Sequence, residues 1–242
     1  MAVVGEKPMA IDTPSLAPPP AMSFAAHDGP NTAVDQPDGA HNDTRERMSM
    51  IGTALSTSLD GFIAGPDGDT GAVLHGWLTA GDTPSRINPS YKMSRPSAEF
   101  FDEGVGGTGA VIAGRRTYDV SDAWGGRGPM PGLPLFIVTH RVPEMVPAGD
   151  PPYTFVTDGV EAAVEQARAA ADGKNVHLMG ASIVQQSIRA GLLDELVISL
   201  VPVVLGRGVR LLDGLDPNDV KLDLMGVVDA PGVTHLTYRL RK

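Results

Sequence analysis

The sequence predicts an α/β fold in which helices flank a mostly parallel sheet and an antiparallel hairpin closes the C-terminus. Two observations predict this fold. From Ser49 onward, short apolar segments alternate with segments of helical period, an order that is typical of parallel sheets. The last two strand-like segments, "VKLDLMGVVDA" and "VTHLTYRLRK", meet instead at "APG", which predicts a hairpin. We therefore expect a parallel sheet with an antiparallel finish.

The N-terminal residues differ from the rest of the chain. Over residues 1–47, prolines are scattered among Ala, Asp and Gly without any apolar period, which predicts a disordered leader. We expect residues 48–242 to form a single domain. Its first segment, "SMIGTALSTSLDGFIAG", places Ile, Thr and Leu on one parity, which predicts a strand before a turn at Asp60 and Gly61.

A long Gly- and Asp-rich stretch follows, from Gly65 to Met93. It exceeds the length of an ordinary connection, so we expect a lid or a binding loop there. Strands and helices then alternate. The strand-like segments are "GAVIAG", "LPLFIVTHR", "NVHLMG" and "DELVISLVPVVLG", and the helical ones are "SAEFFDEG", "RRTYDVSDAW", "TDGVEAAVEQARAAADGK" and "ASIVQQSIRAG".

Two of these helices carry residues with the spacing of a capping box. Asp158 and Glu161 precede the most regular helical pattern, and Ser182 and Gln185 open the next helix. In a capping box these paired side chains bond the free backbone N–H groups of the first turn. The spacing predicts side-chain caps at both helix starts.

The composition excludes several classes of protein. A formal charge of -10 disfavours nucleic acid and anionic membranes as partners, and no apolar run approaches the roughly 18 residues of a membrane span. Without cysteine there are no disulfides, thiol nucleophiles or Cys-containing zinc sites, which suits a cytoplasmic protein. The 6 histidines show no metal-binding spacing, so no metal site is expected.

Polar residues follow three of the predicted strands at their carboxyl ends. The three groups are Gly114, Arg115, Arg116 and Thr117; Thr139, His140 and Arg141; and Gly180, Ala181 and Ser182. A lone glycine between a strand and a helix is more often a packing device. Three such junctions, two of them with Arg and Thr, favour a multiply phosphorylated ligand, because helix starts and arginine forks bind phosphate.

The segments "STSLDGFIAG", "AVIAGRRTYD", "LFIVTHR" and "VHLMGASIVQQSIRAGLLDELVISLVPVVLGRG" occur in the order typical of the dihydrofolate reductase superfamily. The chain most resembles the reductase (C-terminal) domain of the bifunctional riboflavin biosynthesis deaminase-reductase, over Ser49 to Lys242. The resemblance implies a dihydrofolate-reductase-like fold. It also implies an NADPH-dependent oxidoreductase that transfers a hydride to a small pterin-like or ribosylaminopyrimidine-like heterocycle.

The resemblance also implies roles for individual residues around NADPH. Ala54, Ile63 and Ala64 would flank the nicotinamide, and Gly114, Arg115, Arg116 and Thr117 would hold the pyrophosphate region. Thr139, His140 and Arg141 would meet the adenosine 2′-phosphate, and Gly180, Ala181, Ser182 and Ile183 would close over the diphosphate.

Catalytic and substrate-binding residues are nominated in the same way. Asp60 is the candidate proton donor, against the simpler interpretation of an Asp-Gly turn. Trp77 either stacks on a planar ring or anchors the long loop, and Trp124 is expected to serve packing. The carboxylate that contacts a pterin in dihydrofolate reductases is sought among three residues: Glu99, Asp102 and Glu103.

Two alternatives stay open. A chain without cysteine cannot contain the H-x-E and P-C-x-x-C deaminase half of the riboflavin protein. The substrate could therefore be dihydrofolate, as in a true dihydrofolate reductase, or the protein could bind NADPH without turning anything over. The apolar run from Leu196 to Leu205 suggests a homodimer.

Overall fold

The structure is a computed structural model that describes residues 49–68, 71–218 and 220–242. The predicted leader over residues 1–47 lies outside this part of the chain. In chain order the strands are β1 (Ile51–Ser58), β2 (Phe62–Ala64), β3 (Thr83–Pro84), β4 (Lys92–Met93), β5 (Thr108–Gly114), β6 (Leu135–Val138), β7 (Thr154–Val156), β8 (Asn175–Met179), β9 (Glu195–Val201), β10 (Val209–Arg210), β11 (Leu222–Ala230) and β12 (Val233–Leu240). The α-helices are α1 (Gly71–His75), α2 (Arg95–Gly106), α3 (Arg115–Val120), α4 (Val160–Ala170) and α5 (Ala181–Arg189).

The main sheet has eight strands in the order β11-β12-β9-β1-β8-β5-β6-β7. The strands from β9 to β7 in this order run parallel to one another, whereas β12 runs antiparallel to both β9 and β11. Ala230 pairs with Val233 across the predicted "PG" turn. The predicted fold, a mostly parallel α/β sheet with an antiparallel C-terminal hairpin, is confirmed.

Helices cover the central strands, and their apolar faces follow the predicted period. The buried residues of α4 are Val160, Ala163, Val164 and Ala167, which share one face of the helix. β5 is almost continuously buried because it lies in the middle of a sheet that is covered by helices. In α4 the apolar periodicity of the sequence therefore matches the buried face of the helix.

The predicted side-chain caps do not form. Glycines occupy the N-cap positions of α4 and α5, and neither helix start has a side-chain cap hydrogen bond. Gly159 and Gly180 have φ angles of +97° and +95°, a conformation that favours glycine and turns the chain sharply into each helix. The spacing of Ser182 and Gln185 is therefore incidental, and Gln185 instead donates its amide to the carbonyl of Leu211 at 2.9 Å.

The long stretch from Gly65 to Met93 is not a bare loop. It carries α1, a 3₁₀ turn over Gly76–Leu78 and the small β3–β4 hairpin. α2 then extends two residues beyond Gly104, the last residue of the predicted helical segment "SAEFFDEG". Among the described helices, none has both the length and the apolar character needed to cross a bilayer.

His235 is a fully buried polar residue of β12. Its Nε2 and Nδ1 atoms lie 3.0 Å from Ser97 Oγ and 2.9 Å from Ser199 Oγ. The ring stacks on Phe100 and meets the ring of Trp77 edge-on, with centroid distances of 4.5 Å and 5.0 Å. Burial lowers the pKa of His235 to about 4, so the ring is neutral at neutral pH. These contacts join α2 and the long loop to the antiparallel side of the sheet.

Candidate active site

The main sheet opens into a fork between β1 and β8. The ladder between these strands includes only Ile51 with Val176 and Gly52 with His177, while β1 stays paired with β9 up to Ser58. Where the ladder ends, Thr53 Oγ1 donates to the carbonyl of Leu178 at 2.8 Å. Beyond this point the two strands diverge, and the space between them forms the floor of a cleft.

The three predicted junctions follow neighbouring strands that end at one level. In the β5–β6 ladder Gly114 pairs with Val138, and in the β5–β8 ladder Ala113 pairs with Met179. β8, β5 and β6 are adjacent and parallel, so their carboxyl ends form a single edge of the sheet. This edge is where open α/β sheets bind ligands.

Contacts between the junctions show how closely they approach. A Cβ on Gly114 would lie 3.2 Å from Ile183 Cγ1, and a Cβ on Gly180 would collide with Thr117 Oγ1. Arg115 Nη1 donates to the carbonyl of Arg141 at 2.8 Å. The structure therefore brings the three groups of residues together along one rim, and glycine is required at Gly180 both by the collision and by its positive φ.

A cleft of about 1590 Å³ runs along this rim. Of the residues predicted to hold the cofactor, the cleft is lined by Ile63, Ala64, Gly114, Arg115, Arg116, Thr117, Thr139, His140, Arg141, Gly180, Ala181, Ser182 and Ile183. Ala54 is the exception, because it is exposed outside the lining. The fork widens toward the carboxyl end of β1, so Leu55 and Ser56 line the cleft in its place.

The lining is strongly cationic although the chain is acidic. Its arginines are Arg115, Arg116, Arg141, Arg189 and Arg210, whereas Asp213 is the one acidic residue among the described lining residues. Arg116 Nη2 bonds the carbonyl of Pro66 at 3.1 Å, and Arg115 Nε bonds the carboxylate of Asp119 at 2.8 Å. In a chain with a formal charge of -10, this concentration of positive charge attracts an anionic ligand to the cleft.

Asp60, the predicted proton donor, lies outside the cleft lining. Its carboxylate accepts hydrogen bonds from Ser58 Oγ at 2.6 Å and from the amides of Leu205 and Gly206 at 3.1 Å and 2.6 Å. The Ser58 hydrogen bond and the two amides lower the pKa of Asp60 to about 2. These hydrogen bonds fix the loop that follows β9, and the role of Asp60 as proton donor stays a prediction.

The three carboxylates nominated for the substrate do not line the cleft either. Glu99 and Glu103 are exposed on α2, and Glu99 Oε1 pairs with Arg95 Nε at 2.8 Å. α2 packs against β11 and the β3–β4 hairpin, away from the rim. α1, by contrast, contacts β1 and β2 beside the fork.

Asp102 has a structural environment of its own. Its buried carboxylate accepts hydrogen bonds from Ser85 Oγ and from Arg86, whose N and Nε atoms lie 2.9 Å and 3.1 Å away. Burial acts to raise the pKa of Asp102, but the hydrogen bonds from Ser85 and Arg86 outweigh it and the pKa is lowered. Asp102 thus anchors the β3–β4 hairpin to α2.

The structure gives the two tryptophans different surroundings. Trp77 donates from Nε1 to Ser56 Oγ at 3.0 Å and packs on His235, so it anchors the long loop and lies outside the cleft lining. Trp124 packs against the buried cluster that contains Tyr118, as expected, and it also lines the cleft. His75 and Tyr91 also line it and were missed, because Trp77 was the one residue of the long loop weighed as a site residue. The expectation of a binding loop between Gly65 and Met93 was the signal that could have found them.

The rim and the fork define the class of the protein, an α/β protein with a ligand cleft at the carboxyl ends of its parallel strands. The chain belongs to the RibD C-terminal domain family, whose model matches residues 50–236. Among curated proteins it is similar to an uncharacterized protein, YwjB, of Bacillus subtilis (strain 168). The two are 27% identical over 201 residues, which span 80% of this chain and 98% of that protein.

Three solved structures are similar in fold. A protein from Shewanella sp. PV-4 that is assigned to riboflavin biosynthesis is 21% identical, with a TM-score of 0.61 over 81% of this chain and 100% of the other. The second is the diaminohydroxyphosphoribosylaminopyrimidine deaminase/5-amino-6-(5-phosphoribosylamino)uracil reductase of Thermotoga maritima. It is 14% identical, with a TM-score of 0.53 over 81% of this chain and 58% of that one. A pyrimidine reductase-like protein from Corynebacterium diphtheriae is 14% identical, with a TM-score of 0.51 over 80% of this chain and 92% of the other.

Proposed function

We propose that this protein is an NADPH-dependent reductase that passes a hydride to a small heterocycle, pterin-like or ribosylaminopyrimidine-like. The observation that carries the proposal is the meeting of the three strand-end junctions around one arginine-rich cleft. The family and the pyrimidine reductase among its structural neighbours support a reductase over other uses of a nucleotide. NADPH would supply the hydride, and the chain would supply binding, orientation and exclusion of water.

The residues present fit the anionic parts of NADPH. The N-terminus of α5 has no side-chain cap, so the backbone N–H groups after Gly180 are available to a diphosphate. Thr117 lies against Gly180, so its hydroxyl is also at the N-terminus of α5. His140 and Arg141 are exposed at the end of the rim, where a 2′-phosphate would lie beside Arg115.

The nicotinamide would enter the fork of the sheet. Ile63 and Ala64 line the cleft there, and β10 pairs with β2 behind them. The close packing of Gly208 against the carbonyl of Ala64, where a Cβ would collide, fixes this wall. Asp60 supports the same wall from outside through Leu205 and Gly206. These contacts would hold one face of the nicotinamide and leave the other for the substrate.

The substrate side favours a pyrimidine reductase over a true dihydrofolate reductase. No glutamate and only one aspartate, Asp213, lines the cleft among the described residues. Of the carboxylates of α2 that were nominated to contact a pterin, Asp102 bonds Arg86 and Glu99 bonds Arg95. The homodimer and the cytoplasmic location stay predictions.

The test replaces Arg141 with alanine. Losing one charge-assisted hydrogen bond to the 2′-phosphate costs about 1.5–3 kcal/mol, so the Kd for NADPH should rise roughly 10- to 150-fold. The Kd for NADH, which lacks that phosphate, should stay unchanged. Arg239→Ala, which removes an exposed arginine of β12 outside the cleft lining, is the matched control.

Two results would count against the proposal. If Arg141→Ala weakens NADPH and NADH equally, or neither, the 2′-phosphate is not held at this rim. A second assay adds dihydrofolate, ribosylaminopyrimidines and other oxidised heterocycles as candidate substrates. The loss of NADPH absorbance then measures oxidation of the cofactor. Tight NADPH binding without oxidation by any of them would identify a cofactor-binding protein that is not a reductase.

A further inference from the structure

The wall that would face the nicotinamide is a ribbon of two short strands. β2 and β10 form a two-stranded sheet of their own, apart from the main sheet. Ile63 and Ala64 of β2 line the cleft, and so do Val209 and Arg210 of β10. A two-stranded ribbon has little stability by itself. The contacts that hold this ribbon therefore determine where the wall lies.

β2 carries a bulge at Ile63. Ala64 pairs with Val209 and Phe62 pairs with Arg210, so three residues of β2 lie opposite two residues of β10. Ile63 is the extra residue of this ladder. A bulge re-aims a side chain, and bulges are frequent beside active sites. Here the bulged residue is one that lines the cleft, and Arg210 pairs with the residue before it.

Arg210 joins the ribbon to the turn that precedes it. Its guanidinium carbon lies 4.3 Å from the centroid of the Phe62 ring, across the ladder. Its Nη1 donates to the carbonyl of Asp60 at 3.0 Å. A guanidinium is attracted to an aromatic ring, and a charged donor strengthens a hydrogen bond. Because Asp60 and Phe62 flank Gly61, whose φ is +84°, one side chain holds both sides of this turn.

Gln185 ties the ribbon to α5. Its Nε2 donates to the carbonyls of Arg210 and Leu211 at 3.2 Å and 2.9 Å. The amide of Leu211 in turn donates to the carbonyl of Gly61 at 3.2 Å. These bonds form a continuous path from α5 through β10 to the turn before β2. The helix whose start would hold the diphosphate thus also supports the wall that would face the nicotinamide.

Arg210 adds little net charge to this wall. The carboxylate of Asp60 is ionised and accepts hydrogen bonds from Ser58 and from the amides of Leu205 and Gly206. It belongs to the residue whose carbonyl Arg210 bonds. A positive and a negative group therefore lie at the same turn. The effect of Arg210 on a bound ligand should come from the position of the wall more than from its charge.

The other arginines of the lining belong to other parts of the cleft. Arg115, Arg116 and Arg141 lie at the phosphate rim, and Arg189 is the last residue of α5. Among the described lining residues, Arg210 is the arginine that the ribbon itself carries. A change at Arg210 can therefore be separated from a change at the phosphate rim.

We propose that Arg210 is a positioning residue for the nicotinamide: it holds Ile63 and Ala64 in place before the cofactor binds. Gln185 fixes the distance between this wall and the start of α5. The inference rests on the proposed function, because it concerns the same cofactor. A wall that is already ordered lowers the cost of binding. A shift of about 1 Å in such a wall can slow a reaction on the order of 100-fold.

The test compares two ligands that differ by the nicotinamide. NADPH carries the whole dinucleotide, whereas 2′-phospho-ADP-ribose keeps the 2′-phosphate and the diphosphate but has no nicotinamide. Isothermal titration of the full chain gives the Kd of each ligand for the unaltered protein and for Arg210→Met. We expect Arg210→Met to raise the Kd for NADPH roughly 10-fold and the Kd for 2′-phospho-ADP-ribose less than about twofold.

Further variants separate the clamp from a general loss of an arginine. Arg241→Met removes an exposed arginine that bonds Asp223 at 2.8 Å outside the cleft lining, and it should change neither Kd. Arg210→Lys keeps a charge near Phe62 but loses the planar fork, so it should restore part of the NADPH affinity. Gln185→Ala should follow the pattern of Arg210→Met, because it releases the same ribbon from α5.

Hydrogen exchange measured by mass spectrometry tests the position of the wall without any ligand. In Arg210→Met, peptides that cover residues 61–65 and 208–211 should exchange faster than in the unaltered protein. Peptides that cover residues 114–120 at the phosphate rim should not change. Thermal melts show whether each variant is folded, and Arg210→Lys and Gln185→Ala supply the same comparison if Arg210→Met is not.

Several results would overturn the inference. It fails if Arg210→Met weakens both ligands equally or neither, or if exchange in the ribbon stays the same. It also fails if the unaltered protein binds 2′-phospho-ADP-ribose as tightly as NADPH, because the nicotinamide then gains nothing from the wall; the phosphate rim and the proposed cofactor survive these results. If the unaltered protein binds neither ligand, the proposed cofactor fails and the inference falls with it.

Discussion

Protonation of His235 should make the stability of this protein depend on pH. The side chain is completely buried, its two ring nitrogens face the hydroxyls of Ser97 and Ser199, and burial lowers its pKa from 6.5 to about 4. Its closest aromatic neighbours, Phe100 and Trp77, carry no charge that could stabilise an imidazolium. The folded protein therefore keeps the neutral ring at pH values where the unfolded chain takes up a proton.

The difference between the folded and unfolded pKa of His235 fixes the sign and the size of this pH dependence. When the folded pKa lies below the unfolded one, the stability that His235 contributes is complete above the unfolded pKa of 6.5. It falls with pH until the folded pKa of about 4 is reached. Between about pH 7.5 and about pH 5 the loss attributable to His235 is about 2 kcal/mol, at about 1.4 kcal/mol for each pH unit below the unfolded pKa.

The assay is urea unfolding of the unaltered protein and of His235→Gln at both pH values. Every other titrating group contributes equally to the two proteins, so the difference between their pH dependences isolates His235. We expect His235→Gln to be less stable at the higher pH and to lose about 2 kcal/mol less on acidification. An equal loss in the two proteins would show that His235 takes up its proton in the folded state, and the burial argument would be wrong.

Two further predictions concern residues whose roles the structure reassigns or explains. Asp102→Asn should lower the free energy of unfolding by about 2 kcal/mol, because the charge-assisted hydrogen bonds from Ser85 and Arg86 are weakened. The Kd for NADPH should stay unchanged. Unchanged stability with lost activity would instead restore Asp102 as a substrate carboxylate. Gly180→Ala should weaken NADPH binding at least about 10-fold, because the added Cβ would displace Thr117 from the rim. Gly173→Ala is the control: Gly173 also has a positive φ but has open space around it, so this change should reduce only stability. Isothermal titration beside thermal melts checks both, and unchanged binding in Gly180→Ala would exclude a ligand at that corner.

The sequence predicted those parts of the fold and of the site that depend on local pattern. Alternation in β1, helical period in α4 and a glycine at each strand end are properties of neighbouring residues, and parallel strands end at a common edge. The meeting of Gly114, Arg141 and Gly180 along one rim could therefore be inferred without any long-range information.

The remaining features depend on contacts between residues far apart in the chain. Asp60 and Gly206 bond across 146 positions, and no local pattern distinguishes a carboxylate that holds a distant loop from one that donates a proton. The choice between α1 and α2 as the helix beside the fork likewise depends on which element covers which face of the sheet. The positive φ angles of Asp122, Ala123 and Trp124 likewise depend on Tyr153, whose hydroxyl donates to the carbonyl of Ala123 from another segment.

The fork between β1 and β8 has a consequence for what can occupy it. β1 stays bonded to β9 along its whole length, but the backbone of its second half has no strand on the other side. A ligand in this gap would lie beside the backbone N–H and C=O groups of β1, where a neighbouring strand would otherwise run. A flat group that offers an N–H and a C=O side by side, as an amide does, can take the place of that strand and complete the sheet.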